Sequence, residues 1–121
     1  MVAVVDDEPE MRKAFRRLLS SRQFAVEEYE SGDAFFAALS AHPPDCVLLD
    51  LQMPGTNGFG VLKACQDRNL RLPIVVITAH DEPGVADQVK SLGALACLKK
   101  PVEQNTLICV LQAAVAAARH R

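Results

Sequence analysis

A short apolar run in the middle of the chain, residues 47–49, ends on the carboxylate of Asp50 and then breaks into a loop, Met53 to Gly58. An uninterrupted apolar run bounded by turn residues is typical of a strand buried on both faces of a sheet. Open α/β sheets bind their ligands at the edge where parallel strands end. Asp50 is therefore the first candidate site residue.

Other strand-like runs in the chain also end on polar residues. They are Val2 to Val5 before Asp6 and Asp7, Ile74 to Ile77 before Thr78, and Leu95 to Leu98 before Lys99 and Lys100. The carboxyl ends of parallel strands lie at one edge of a sheet, so these side chains are expected to converge there with Asp50. The predicted edge carries carboxylates, a hydroxyl and a lysine.

Helical periodicity, with apolar residues recurring every three or four positions, is visible between and after these runs. The helical segments are Asp7 to Ser21, Ser31 to about Ala41, Phe59 to Cys65, Val85 to Leu92 and Leu107 to Ala118. A further strand, Phe24 to Glu30, alternates imperfectly, as an exposed edge strand does. Alternating strands and helices predict an α/β fold, with a parallel sheet, right-handed crossovers and helices on both faces.

Length and charge limit what the chain can do. At 121 residues, 50% of them hydrophobic, it is predicted to fold as one domain, 1–121, around a single core. A net charge of -2 provides no basic face for nucleic acid, so direct nucleic-acid contact is not expected. The sequence shows neither a signal peptide nor an apolar run long enough for a membrane span, which favours a cytoplasmic location without membrane contact.

The cysteines are spread along the chain without a C-x-x-C pair, which argues against a zinc site. They are Cys46, Cys65, Cys97 and Cys109. Most of them fall within apolar runs. They are therefore predicted to be small buried hydrophobic residues in a reducing compartment.

Asp6, Asp7 and Asp50 would lie close together if the first strand is adjacent to the third. Carboxylates at such short range repel one another unless a cation joins them, and oxygen ligands of this kind favour Mg²⁺. A carboxylate nucleophile flanked by a metal, an ammonium and a hydroxyl suits phosphoryl transfer. Alternatively, Asp7 caps the first helix, because Asp7 and Glu10 have the spacing of a capping box.

These residues, in this order and spacing, strongly resemble the receiver domain of bacterial two-component response regulators. The resemblance covers the chain from Val2 to about Ala117. It implies a flavodoxin-like sheet with strand order 2-1-3-4-5 and a phosphoacceptor role for Asp50, which would take its phosphoryl group from a phosphohistidine of a sensor histidine kinase. Residues 119–121 would be either the start of a linker or an ordinary end.

The resemblance also implies a metal site beside Asp50. Asp7, Asp50 and the backbone carbonyl of Gln52 would bind Mg²⁺. Asp6 would lie close by and act through water.

The resemblance also assigns roles to Lys100 and Thr78. Lys100 would pair with the phosphoryl oxygens, and Thr78 would donate a hydrogen bond to one of them. The peptide bond between Lys100 and Pro101 would be cis. The protein would not be an enzyme in the usual sense, because its catalysis would be limited to its own phosphorylation and dephosphorylation.

Within the family, the stretches from Leu49 to Gly58 and from Ile77 to His80 look like the branch that regulates transcription through a helix-turn-helix output domain. Phosphorylation would shift the surface of the fourth helix, fifth strand and fifth helix, and so control the output domain, a partner or a homodimer. One position departs from the family's pattern. Cys97 stands three residues before Lys100, where a tyrosine or phenylalanine ring usually takes part in switching.

Other functions are weighed against this one. A phosphorylation-independent adaptor remains open because of Cys97. A phosphatase of the haloacid dehalogenase type would need a second aspartate two residues after Asp50, where the chain has Gln52. The glycines from Gly55 to Gly60 read G-x-x-G-x-G, which differs from the dinucleotide-binding pattern G-x-G-x-x-G. His80 is interpreted as a surface loop histidine.

Overall fold

The computed structural model describes residues 1–51, 58–79 and 84–119. The strands within these ranges are β1 (Val2–Val5), β2 (Val26–Tyr29), β3 (Cys46–Asp50), β4 (Ile74–Thr78) and β5 (Ala96–Lys99). The helices that alternate with them are α1 (Pro9–Ser21), α2 (Gly32–Leu39), α3 (Gly58–Asp67), α4 (Val85–Ser91) and α5 (Gln104–Arg119). None of these helices is both long and apolar enough to cross a bilayer.

The strands form one parallel sheet in the order β2-β1-β3-β4-β5. The predicted α/β architecture and the strand order implied by the resemblance are thereby confirmed. In the pairing of β1 with β3, Val5 lies opposite Leu49. Asp6 is the residue after Val5, and Asp50 is the residue after Leu49. The two carboxylates therefore lie side by side at the carboxyl edge of the sheet.

Helices cover both faces of the sheet, which explains why the central strands are apolar up to their last residues, Asp50 in β3 and Thr78 in β4. One face packs against α2, α3 and α4 through buried residues that include Val5, Leu49, Phe35, Leu62 and Val89. The other face packs against α1 and α5 through residues that include Leu48, Ile77, Leu19, Leu107 and Leu111. These two apolar layers determine the positions from which the polar residues at the strand ends project.

The first helix begins two residues later than predicted, at Pro9 rather than at Asp7. Its N-cap residue is Glu8, whose N–H donates to Asp6 Oδ1 at 2.9 Å. Proline is favoured at the first helical position because an N–H there has no intrahelical partner to lose. The interpretation of Asp7 as the cap of this helix is therefore wrong.

The two edge strands differ from their predicted bounds. β2 is confined to Val26–Tyr29, within the predicted segment from Phe24 to Glu30. β5 keeps the predicted length of the run from Leu95 to Leu98 but is shifted by one residue, so Lys99 is its last residue and Leu95 precedes it. Leu95 is 50% exposed. Each edge strand has a neighbour on one side within the sheet, so fewer ladder hydrogen bonds determine where it begins and ends.

The cysteines differ in their burial. Cys46 and Cys65 are buried, as predicted, whereas Cys97 is half-buried and Cys109 is exposed on α5. Burial raises the pKa of the Cys46 thiol to about 12, so this thiol stays protonated at neutral pH. The prediction of buried cysteines is wrong for Cys109, because that position on α5 faces away from the sheet while the preceding Leu107 and Ile108 are buried.

Candidate functional site

A cluster of three carboxylates lies at the carboxyl edge of the sheet. Asp6 directly follows β1, Asp50 ends β3, and Asp7 follows Asp6 on the loop into α1. One carboxylate oxygen from each residue lies within 4.8 Å of those of the other two. Asp6 and Asp50 are only 1% and 4% exposed, while Asp7 is half-buried. The sheet pairing of β1 with β3 thus produces the close approach that the sequence predicted.

The Asp6 main chain and side chain are held by several hydrogen bonds. The Asp6 N–H donates to the carbonyl of Tyr29 at 3.1 Å, which joins the end of β1 to β2. The Asp6 carbonyl accepts from Arg12 Nη1 at 2.7 Å, and Asp6 Oδ1 accepts from the Glu8 N–H at 2.9 Å. Among the described residues, the buried oxygen Asp6 Oδ2 has no hydrogen-bond partner. A buried carboxylate oxygen of this kind is costly unless a cation or donor joins it.

The electrostatics of the cluster also disfavour the ionised form of Asp6. Burial raises the pKa of Asp6 from 3.8 to about 6. The hydrogen bond from Glu8 lowers this pKa, the Asp50 charge raises it, Lys100 lowers it, and Asp7 raises it further. Desolvation and like charges therefore outweigh the favourable partners, and the ionised cluster is under strain without an added cation.

The donor set fits a hard divalent cation. Carboxylate oxygens are the ligands that Mg²⁺ prefers, and a cation among them would compensate both the buried Asp6 oxygen and the mutual repulsion. Asp6, Asp7 and Asp50 would hold such an ion. Gln52, whose backbone carbonyl the resemblance adds to this set, lies outside the described residues.

Lys100 brings a positive charge to the same edge. Its Nζ lies 3.6 Å from Asp50 Oδ1, and its side chain is 21% exposed. The Lys100 N–H donates to the Thr78 carbonyl at 2.8 Å, so the end of β4 fixes the start of the loop that carries the lysine. The Lys100-Pro101 peptide is cis, as the resemblance implies.

Thr78 is the last residue of β4 and is 3% exposed. In the adjacent strand, Asp50 lies opposite Ile77, so Thr78 is one residue further along than Asp50. The hydroxyl residue, the carboxylate and the lysine thus come from neighbouring strand ends. His80, interpreted from the sequence as a surface loop histidine, lies outside the described residues.

Gly58 lies against the main chain that follows Asp50. The Gly58 N–H donates to the Leu51 carbonyl at 3.0 Å. A Cβ at Gly58 would lie 2.5 Å from Leu51 Cα and 3.0 Å from the Asp50 carbonyl oxygen. Carbon atoms that are not bonded to each other approach to about 3.5 Å at the closest favourable distance. Glycine therefore allows α3 to begin directly against the end of β3.

We expect Gly58→Ala to lower the free energy of unfolding by roughly 1–3 kcal/mol, because the added methyl group forces the start of α3 away from Leu51. Denaturant unfolding measures this loss. The control is Gln66→Ala, at an exposed position of the same helix. Equal stability of the two variants would contradict the close packing at Gly58.

Sequence reasoning missed two residues that support the site. Arg12 contacts the Asp6 main chain, although in the sequence it is one more polar residue of an amphipathic helix. Gly58 was noted as part of a glycine pattern, but its contact with Leu51 depends on how α3 packs against β3. Neither role has a local sequence signal, because each depends on a tertiary contact.

Known proteins of similar sequence are regulators of transcription by name. The DNA-binding transcriptional regulator NtrC of Salmonella typhimurium is 31% identical over 115 residues, which cover 95% of this chain and 24% of that protein. The transcriptional regulatory protein FixJ of Bradyrhizobium diazoefficiens is 32% identical over 114 residues, which cover 94% of this chain and 56% of that protein. The chain thus spans about a quarter of one relative and just over half of the other.

Solved structures share the fold. The crystal structure of FixJ-N superimposes with a TM-score of 0.87 at 30% identity, covering 95% of this chain and 92% of that one. The receiver domain of NtrX from Brucella abortus superimposes with a TM-score of 0.88 at 27% identity, covering 96% and 98%. The profile of the response regulator receiver domain matches residues 2–112. The profile match covers most of the chain, and the acidic cluster and Lys100 lie together at the carboxyl edge of the sheet. This chain therefore belongs to the response regulator receiver domain family of two-component systems.

Proposed function

We propose that this chain is the phosphoacceptor of a two-component phosphorelay, with Asp50 as the residue that is phosphorylated. The observation that supports this most directly is the position of Asp50. Its carboxylate is buried in the acidic cluster and lies 3.6 Å from the ammonium of Lys100. A nucleophilic carboxylate needs such a charged, partly dehydrated setting to accept a phosphoryl group.

In the proposed step, an Asp50 oxygen attacks the phosphorus of a phosphohistidine on a sensor kinase. The new O–P bond forms as the N–P bond breaks, and the electron pair of that bond returns to the imidazole nitrogen. The products are an aspartyl phosphate and an unmodified histidine. Lys100 pairs with the phosphoryl oxygens as the lysine leaves Asp50, and the Thr78 hydroxyl donates to one of them.

The metal of this proposal is Mg²⁺, which Asp7, Asp50 and the backbone carbonyl of Gln52 would hold, with Asp6 beside it acting through water. When bound, Mg²⁺ neutralises charge on the transferring oxygens. The chain's own contribution is to keep the carboxylates together and to place Lys100 3.6 Å from Asp50. Its catalysis is limited to its own phosphorylation and to hydrolysis of the aspartyl phosphate.

The test is incubation with acetyl phosphate and Mg²⁺, followed by intact-mass measurement. A phosphorelay receiver gains the mass of one phosphoryl group, and the gain requires the metal. The competing function is a phosphorylation-independent adaptor, which the half-buried Cys97 favours because it stands where the family usually has a ring. An unchanged mass at saturating donor would support the adaptor.

The signal is proposed to travel from Thr78 to the surface of α4, β5 and α5. When the hydroxyl moves toward a phosphoryl group, the space it leaves must be filled, since protein interiors tolerate few voids. Cys97 packs against the apolar layer that includes the buried Val89 of α4, but it is too small to fill that space alone. The main chain of α4 is therefore expected to move, in place of a rotating ring.

Beryllofluoride, a stable mimic of the phosphoryl group, tests this switch. In the presence of Mg²⁺, we expect beryllofluoride to change the amide exchange rates along α4 and β5, including those of Val85 and Val89. Hydrogen exchange followed by NMR measures these rates. The helix α2 serves as the internal control, because it follows β2, which lies at the opposite edge of the sheet from β5. Changes restricted to the neighbours of Asp50 at saturation would rule out the switch.

The partners follow from the same proposal. A sensor histidine kinase supplies the phosphoryl group, and a DNA-binding output domain in the parent protein receives the signal, as the names of NtrC and FixJ suggest. Residues 1–121 form the receiver, and phosphorylation promotes a homodimer. The receiver itself contacts neither DNA nor a membrane. Regulation of transcription places it in the cytoplasm.

A further inference from the structure

Arg12 connects three elements near the acidic cluster. It lies on α1, it is 16% exposed, and its Nη1 donates to the carbonyl of Asp6 at the end of β1. Its Nε also lies 3.8 Å from Oε1 of Glu28 on β2. A charged group donating to a carbonyl at 2.7 Å forms one of the stronger hydrogen bonds in a protein.

Glu28 orients this guanidinium from the neighbouring strand. Its other oxygen, Oε2, lies 3.1 Å from Nη1 of Arg16, which is 51% exposed. Two arginines of α1 therefore share one carboxylate of β2. Arg12 contacts the Asp6 main chain, whereas Arg16 is a surface partner of the same glutamate.

The consequence for Asp6 is a fixed direction of its side chain. Tyr29 holds the Asp6 N–H, Arg12 holds the Asp6 carbonyl, and the Glu8 N–H holds Oδ1. With those groups engaged, the buried Oδ2 is the oxygen left to face a ligand in the described part of the chain. Residues that orient a ligand from outside the metal's own shell commonly change metal affinity by about 10–100-fold when removed.

We propose that Arg12 is a positioning residue of the metal site, which acts through the Asp6 main chain to aim the acidic cluster at the cation. The inference rests on the proposed function, because it assumes that the cluster binds Mg²⁺. Arg12 does not contact the transferring group. Its effect is therefore on metal affinity and on the order of the β1–α1 loop.

The sign of the effect separates positioning from simple electrostatics. Removing a positive charge near carboxylates strengthens cation binding if charge alone matters. Losing the hydrogen bond to the Asp6 carbonyl weakens cation binding, because the Asp6 oxygens are then free to turn away. The two explanations thus predict opposite changes in the Mg²⁺ dissociation constant for the same substitution.

The experiment compares Arg12→Met with Arg16→Met, which remove the same charge from α1 and keep a side chain of similar length. Mg²⁺ titration by calorimetry should show about tenfold weaker binding for Arg12→Met and little change for Arg16→Met. Binding by Arg12→Met that equals or exceeds that of Arg16→Met would overturn the proposal. If Arg12→Met fails to fold, Arg12→Lys is titrated in its place. This variant keeps the charge and one donor, and it should bind Mg²⁺ more weakly than wild type. Wild-type affinity in Arg12→Lys would then overturn it.

A second measurement needs no metal. Hydrogen exchange at the Glu8 amide, which donates to Asp6 Oδ1, should be several times faster in Arg12→Met than in Arg16→Met. Equal exchange in the two variants would overturn the positioning role. If wild type itself fails to bind Mg²⁺, the proposed function fails, while the exchange of the Glu8 amide still decides whether Arg12 orders Asp6.

Discussion

Asp50→Asn is expected to abolish phosphorylation while leaving the fold intact. The substitution replaces the nucleophilic oxygen pair with an amide of the same shape, which cannot form an acyl phosphate. It also removes one negative charge from the buried cluster, so the folded state loses the 3.6 Å pair with Lys100 but is relieved of repulsion from Asp6. The expected loss is complete, because no other residue combines this burial with both the acidic cluster and the lysine among the described residues.

Intact mass after incubation with acetyl phosphate and Mg²⁺ measures this loss. Circular dichroism of Asp50→Asn checks that the fold is retained. The matched control is Asp67→Asn, which removes the same charge from an exposed position on α3 and should be phosphorylated like wild type. A phosphoryl mass on Asp50→Asn would show that another residue is the acceptor.

Asp6→Asn is expected to stabilise the metal-free protein at neutral pH. Burial raises the pKa of Asp6 to about 6 in the folded state, against 3.8 as its ordinary value. The folded state therefore binds more protons than the unfolded state between about pH 4 and 6, and wild type loses stability as pH rises through this window. Above it the loss is complete. The asparagine keeps an acceptor for the Glu8 N–H but carries no charge, so it avoids this loss.

The expected gain of Asp6→Asn over wild type is on the order of 2–3 kcal/mol at about pH 7.5, and close to zero at about pH 4. Denaturant unfolding at the two pH values, without Mg²⁺ and with a chelator present, measures it. Asp67→Asn again controls for a change in net charge. A gain that is the same at both pH values would show that Asp6 does not titrate in this way.

Mg²⁺ should reverse this difference in stability and make wild type more stable than Asp6→Asn. A ligand at 100 times its dissociation constant stabilises the folded state by about 2.7 kcal/mol, and this gain belongs to wild type, whose acidic cluster is complete. Asp6→Asn should gain less and should be phosphorylated poorly. A variant that Mg²⁺ stabilises as strongly as wild type would exclude Asp6 from the metal site.

Much of the candidate site could be predicted without a structure because parallel strands buried on both faces are marked by uninterrupted apolar runs. Each such run shows where its strand ends, and the polar residue that follows must lie at the carboxyl edge of the sheet. Asp50, Thr78 and Lys100 were found in this way. The order of the strands was carried by the resemblance to a family, since periodicity alone does not say which strands are neighbours.

The tertiary structure decided how close these residues lie and what holds them. The pairing of β1 with β3 sets Asp6 level with Asp50, and the start of α1 at Pro9 leaves Asp7 free of a capping role. Arg12 reaches the Asp6 carbonyl across the β1–α1 loop, and Gly58 accepts the close approach of Leu51. Local sequence determined the elements and, to within one to three residues, where they begin and end, because propensity and burial act over neighbouring residues. The contacts that position the site residues join parts of the chain that only tertiary packing brings together. They therefore leave no recognisable pattern in the amino-acid sequence.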